Sequence, residues 1–137
     1  MTLPLKTGFV NGCFDVLHVG HIRMLQFAKR ECEHLVVGID SDDRVKLLKG
    51  STRPINNQLD RKEFLLSLSC VDEVRVFATD QELINLIKSV SPDIMVVGSD
   101  YQGKTVIGSE HAQQLIFFDR IAGYSTSKIV ESSSNRR

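Results

Sequence analysis

The sequence lacks net charge. Its 17 basic residues are matched by 17 acidic ones, so no overall field draws the chain to nucleic acid or to a membrane surface. Any phosphate chemistry must come from cations gathered locally. A cysteine framework is missing too. Cys13, Cys32 and Cys70 form an odd set without C-x-x-C spacing, which points to reduced thiols and a cytoplasmic setting. No His/Cys cluster suggests zinc. The opening "MTLPLKTG" has no apolar h-region, and no apolar run nears the ~20 residues that span a bilayer, so a soluble protein is expected. There is no internal repeat and no interdomain linker, and 137 residues suffice for one domain with its own core. The loop after the first apolar run is neither of two familiar nucleotide loops, since G-x-G-x-x-G is missing there and no G-K-[ST] follows it.

What is present is an alternation. "GFVNG", "HLVVGID", "DEVRVF", "DIMVVG" and "QLIFF" read as short strands. Between them, "HIRMLQFAKREC" places Ile22, Leu25 and Ala28 at helical spacing, and "QLDRKEFLLSLS" is expected to bring Leu59, Phe64, Leu65 and Leu68 to one side. "DQELINLIKSV" is a helix with Asp80 as its expected N-cap, stopped before Pro92, and "STSKIVE" starts a last helix. Strands alternating with helices imply an α/β fold: a Rossmann-like three-layer sandwich around a five-stranded parallel sheet. The domain is expected to span residues 1–131, with the polar end 132–137, "SSSNRR", fraying. In such a sheet ligands collect beyond the carboxyl ends of the strands, where the strand order switches direction.

The loop after the first strand, "NGCFDVLHVGHIRML", concentrates the chemistry. Gly12 is read as allowing a tight turn, and Gly20 as letting a phosphate approach the positive end of the following helix. His18 and His21, at i and i+3, share one face of the first helical turn. Packing explains a lone histidine; H-x-G-H at this place favours an anion.

"GCFD" followed by H-x-G-H resembles the signature of the cytidylyltransferase-like nucleotidyltransferases. The likeness continues through "VKLLKGSTRPIN", "QLDRKEFLLSLSCVDEV", "VVGSDYQGK", "VIGSE" and "GYSTSKIVE", which are similar to the adenylyltransferase domain of bacterial ADP-heptose synthase. "DYQGK" also resembles glycerol-3-phosphate cytidylyltransferase. The resemblance implies attack of an acceptor phosphate on the α-phosphorus of a nucleoside triphosphate, with pyrophosphate leaving. Such catalysis is positioning plus electrostatics. It implies that His18 and His21 donate to the triphosphate and that Lys46 bridges the acceptor and the α-phosphate. Lys49 is open between an assisting cation and a solvated lysine. Arg61 falls where the family holds a phosphate; its other reading is a surface residue of an amphipathic helix. The nucleotide is implied to touch Gly12, Cys13, Phe14, Asp15 and Gly20 after the first strand, and Gly98, Asp100 and Tyr101 after the fourth. Arg120, Tyr124, Ser125, Thr126 and Ser127 would complete the phosphate site, and the three hydroxyl residues also suit a helix cap. Asp15 could instead order its loop through backbone hydrogen bonds. Cys13 is not expected to act as a nucleophile.

The resemblance further implies Mg²⁺ carried by the triphosphate rather than by a protein cage, ATP favoured over CTP, and a homodimer. A separate sugar kinase would act in the same pathway; neither nucleic acid nor membrane is expected as a partner. Class I aminoacyl-tRNA synthetases share H-x-G-H, but 137 residues leave no room for their further regions. A catalytically silent nucleotide-binding module is the rival of another class.

Overall fold

A computed structural model describes residues 5–119. The chain alternates β1 (Thr7–Gly12), α1 (Val19–Arg30), β2 (His34–Asp40), α2 (Asp42–Lys49), α3 (Gln58–Leu66), β3 (Glu73–Phe77), α4 (Asp80–Val90), β4 (Ile94–Gly98) and β5 (Gln114–Phe118). Short 3₁₀ turns at Ser99–Tyr101 and Ser109–His111 separate the last two strands. The strands form one sheet in the order β3-β2-β1-β4-β5, every neighbouring pair parallel. This is the expected Rossmann-like sandwich.

Alternate strand residues feed two cores, as a sheet covered on both faces requires. On one face Val10, Leu35, Val37, Ile39 and Val96 pack with Leu25 and Ala28 of α1 and Leu65 of α3. On the other, Phe9, Val36, Met95 and Val97 pack with Leu83 and Ile87 of α4. The chain builds β1, β2 and β3 outward in one direction, then crosses to β4 and β5 on the other side of β1. The switch therefore lies between β1 and β4. In open parallel sheets the crevice at the carboxyl ends beside such a switch is where ligands are received.

Three local expectations change. α2 is a helix that the apolar pattern does not announce, because only Val45 of its residues is buried. Polar signals build it instead. The Ser41 hydroxyl accepts from the Arg44 N–H at 3.2 Å, Asp42 and Asp43 occupy the first turn, and Gly50 ends it at φ 104°. In α3 the buried face is Arg61 and Leu65, one turn apart, while Leu59 and Phe64 stay exposed. α4 is capped by Thr79, whose hydroxyl accepts from Glu82 N–H at 3.0 Å, and Asp80 is its first residue. The expected last helix at "STSKIVE" and the tail 132–137 lie outside the described residues, as do Arg120, Tyr124, Ser125, Thr126 and Ser127.

Candidate active site

A cavity of about 370 Å³ opens at the switch point, within the range of small-molecule sites. Gly12, Cys13 and Phe14 line it from the end of β1, and His21 from α1. Asp40, Arg44 and Lys49 line it from the end of β2 and from α2. Gly98 and Tyr101 close the β4 side, and Val106 and Ile107 add an apolar wall.

The two histidines cap α1 reciprocally. His18 is the N-cap, and its Nδ1 accepts from the Gly20 N–H at 3.1 Å. His21 Nδ1 accepts from the His18 N–H at 3.3 Å. The rings stack with centroids 3.8 Å apart. With Nδ1 of each ring accepting from the backbone, a neutral imidazole must carry its proton on Nε2. The capping geometry thus fixes the tautomer that makes Nε2 a donor. Gly20 differs from expectation: it is buried, its N–H is taken by His18, and it does not line the cavity.

Phe14 makes the turn that Gly12 was expected to make. Its φ is +50°, a left-handed conformation that is costly for a bulky residue. It is nevertheless 4 % exposed, and its ring meets His21 edge-on at 5.2 Å. Gly12 contributes space: a Cβ there would stand 3.1 Å from the Phe14 ring. The aromatic ring braces the histidine, and the glycine admits the ring.

Asp15 and Arg61 belong to a buried scaffold behind the cavity wall. Asp15 is 1 % exposed. Its carboxylate accepts from Ile55 N–H, Asn56 N–H and Arg53 Nε, each at 2.8 Å. Burial would raise its pKa, but those hydrogen bonds and the Arg53 charge outweigh it, so the carboxyl is held below its ordinary range. Asp15 does not line the cavity; it orders the loop.

Arg61 corrects both of its sequence readings, because it is neither a surface residue nor available to a phosphate. It is fully buried. Its guanidinium donates to Asn56 O at 2.9 Å, Cys13 O at 2.9 Å, Asp40 O at 2.7 Å and Asp42 Oδ1 at 2.9 Å. It joins the loop after β1, the end of β2, the start of α2 and the loop before α3. Its effect on the site is exerted through position.

On α2 the lysines separate. Lys49 lines the cavity; Lys46 is exposed and does not. The resemblance assigns the bridging role to Lys46, whereas the helix turns Lys49 to the cavity. Arg44 also lines it, yet it is committed. Its Nε donates to Asp40 Oδ1 and its Nη2 to Asp80 Oδ1, both at 2.7 Å, and its guanidinium lies 5.2 Å from the Phe77 ring centre. Burial pushes the Cys13 thiol up, with the charges of Lys49 and Arg61 pulling the other way and the thiol still raised. A raised thiol is a poor nucleophile at neutral pH.

The β4 side contributes Gly98 and Tyr101; Asp100 is exposed and is not among the lining residues. The wall at Val106 and Ile107 is anchored by Gly108, at φ 80°. A Cβ on Gly108 would come within 2.5 Å of Ile87 Cδ1, so only glycine lets the loop sit this close to α4.

The family profile described as Cytidylyltransferase-like matches residues 9–132. The chain belongs to that family. This cytidylyltransferase-like domain is 51 % identical over 123 residues to the Bifunctional protein HldE of a Nitratiruptor species, covering 90 % of this chain and 26 % of that protein. It is 52 % identical over 126 residues to the Bifunctional protein HldE of Helicobacter pylori, with coverage of 92 % and 27 %. The chain thus spans about a quarter of the length of these relatives. Among solved structures it resembles the lipopolysaccharide core biosynthesis protein of Thermoplasma volcanium, at TM-score 0.68 and 22 % identity over 86 % of this chain and 99 % of that one. It also resembles the pantoate-beta-alanine ligase of Francisella tularensis, at TM-score 0.66 and 18 % identity over 93 % and 65 %. These two likenesses show the fold.

For the cytidylyltransferase-like site, sequence reasoning missed Asp40, Arg44 and the Val106–Ile107 wall. The position of Asp40, last in "HLVVGID" on the ligand side of the sheet, was the signal available. Arg44 gave none, because α2 itself was not read. No helix among the described residues is long and apolar enough to cross a membrane.

Proposed function

We propose that this chain transfers a nucleotidyl group from a nucleoside triphosphate to a phosphorylated acceptor and releases pyrophosphate. The observation that carries the reading is the paired imidazoles: both Nδ1 atoms are tied to the backbone at the start of α1, and the rings stack 3.8 Å apart. His21 lines the cavity at the positive end of α1, where an Nε2–H donor suits a polyanion, while His18 is buried outside the cavity lining and holds the His21 ring by stacking. An acceptor phosphate oxygen forms the new bond to the α-phosphorus as the bond to pyrophosphate breaks. Charge gathers on the departing oxygens, and preorganised donors oppose it without reorganising. Lys49, which lines the same cavity, supplies a cation and forms no ion pair among the described residues. Arg120 and Ser125–Ser127, by the family resemblance, add to the phosphate site.

Mg²⁺, if bound, supplies charge neutralisation through phosphate oxygens, its usual ligands in such sites. Among the described residues no group of three or more His, Cys, Asp or Glu could hold a metal.

For the substrates, "LKGSTRPIN" and "VIGSE" support ATP and a heptose-type sugar 1-phosphate, and the HldE relatives support the same branch. The enzyme would then work in the cytoplasm, in a pathway with a sugar kinase activity. "DYQGK", whose Tyr101 lines the cavity, favours glycerol-3-phosphate cytidylyltransferase as the second reading. Thermal shift with Mg²⁺ and each nucleotide decides between them, since the preferred nucleotide stabilises more at equal concentration. A larger shift with CTP moves the chain to the second branch. Leu47, Leu59, Phe64 and Leu66 are exposed, and they support a homodimer through the α2–α3 side. Sedimentation showing a monomer at micromolar concentration removes that part.

A further inference from the structure

Resting on the nucleotidyl-transfer reading, we propose that Asp40 binds vicinal hydroxyls, those of the nucleotide ribose or of a polyol acceptor, and that Arg44 holds its carboxylate in place for that role. Asp40 is the only acidic residue among the described residues that line the cavity. It is the last residue of β2, one beyond the Gly12–Ile39 pair, so it emerges at the carboxyl edge next to the loop of β1. A carboxylate there cannot serve the phosphates. Like charges in a partly desolvated cleft repel, and a carboxylate has no proton to donate to a phosphate oxygen. What it can accept is a donor, and the neutral donors on such substrates are hydroxyls. Two adjacent hydroxyls match its two oxygens.

The carboxylate is prepared for this. Oδ1 is held by Arg44 Nε at 2.7 Å, while Oδ2 has no hydrogen-bond partner among the described residues. Asp40 is not free to swing, because Arg44 is itself fixed by Asp80 and by the face of Phe77, and the Asp40 carbonyl is bound by Arg61. Both side chains of the pair are 14 % exposed. The guanidinium offsets the carboxylate charge, so Asp40 can stand in the same cavity as Lys49 without cancelling the cation that a phosphate needs. The end of the second strand is also where an acidic residue meets ribose hydroxyls in dinucleotide-binding sheets.

The test is equilibrium binding of ATP, 2′-deoxy-ATP and 3′-deoxy-ATP with Mg²⁺ to the parent, Asp40→Asn and Asp40→Ala. It is joined by pyrophosphate-release KM values for sugar 1-phosphates and glycerol 3-phosphate. A hydrogen bond from a hydroxyl to a carboxylate corresponds to ~10-fold or more in affinity. If Asp40 reads the ribose, the parent binds a deoxy nucleotide ~10-fold more weakly than ATP, and Asp40→Ala removes that discrimination by weakening ATP alone. If it reads the acceptor, nucleotide discrimination is unchanged and the acceptor KM rises by a similar factor in Asp40→Ala. Asp40→Asn, nearly isosteric, falls between parent and alanine in either case and guards against a folding artefact. The proposal is overturned if a folded Asp40→Ala changes neither quantity. It is also overturned if ATP and both deoxy nucleotides weaken equally, which would mark a structural role. A parent that binds ATP without discriminating the deoxy nucleotides, and whose acceptor KM is the same in Asp40→Ala, sinks this inference alone; a parent that binds no nucleoside triphosphate sinks the functional reading with it.

Discussion

Replacing His21 separates packing from chemistry, because its ring does both. His21→Ala removes the Nδ1 acceptor of the His18 N–H, the ring stacked on His18, and the edge contact with Phe14. The capping loss alone costs about 1 kcal/mol, which lowers Tm by a few degrees in a domain of this size. The chemical loss is larger. Removing one preorganised donor to developing charge costs ~10²–10³ in kcat, or about 2.7–4 kcal/mol. The two are read by different instruments, melting and turnover, and a second variant splits them further. His21→Asn keeps a side-chain oxygen that can accept from the His18 N–H, so it should recover most of the Tm. It cannot place a donor where Nε2 stood, so kcat should stay ~10²-fold down. The reasoning is refuted if His21→Asn melts as the parent does and turns over within threefold of it. The histidines would then be a helix cap and nothing more.

Arg61→Ala should be the most damaging single change for stability. It leaves the Asp42 carboxylate and the carbonyls of Cys13, Asp40 and Asn56 without their donor, a loss of ~3–5 kcal/mol; a stability from denaturant unfolding within about 1 kcal/mol of the parent would contradict it. Lys49→Ala should raise the nucleotide KM by ~10-fold or more in steady-state assays, with a lesser change for Lys46→Ala; the opposite order would restore the family assignment over the geometry. The depressed Asp15 carboxyl contributes stability that is fully present above its ordinary value of 3.8 and is lost as pH falls below that value. Asp72 and Glu73 are depressed too, so the quantity to follow is the Tm difference between parent and Asp15→Asn. That difference should be largest at neutral pH and shrink towards zero below about pH 4. A constant difference across the range would show that the charge state of Asp15 is irrelevant.

The fold was legible because its strands declare themselves. "HLVVGID" and "DIMVVG" are apolar on both faces, which only a covered parallel sheet accommodates, and the H-x-G-H turn falls where the strand order switches. What hid from the sequence was structure built by polar groups. α2 buries one residue, so hydrophobic periodicity cannot see it, although Ser41, Asp42 and Gly50 mark its ends. Misreading that span left Lys49 and Arg44 unplaced. Arg61 was hidden for a related reason. A charged residue on an amphipathic helix reads as solvated, and nothing local reveals that Cys13, Asp40, Asp42 and Asn56 converge on it from four segments. Asp15 was partly legible, since a backbone-ordering role was one of its readings, but its partners at Ile55 and Asn56 are 40 and 41 residues away. Phe14 at positive φ ran against the expectation that glycine makes the turn. Long-range hydrogen bonds and a braced, strained residue leave no periodic trace.

The central claim is that the paired histidines serve nucleotidyl transfer, and pyrophosphate release tests it most directly. The chain is incubated with Mg²⁺, each of the four nucleoside triphosphates and a panel of sugar 1-phosphates with glycerol 3-phosphate, and pyrophosphate and the nucleotidyl-acceptor product are quantified together. The account predicts pyrophosphate and product in equal amounts, only when nucleotide and acceptor are both present, and ~10²-fold less of each with His21→Ala. Nucleotide binding without pyrophosphate from any combination would contradict it and leave a binding module in place of an enzyme.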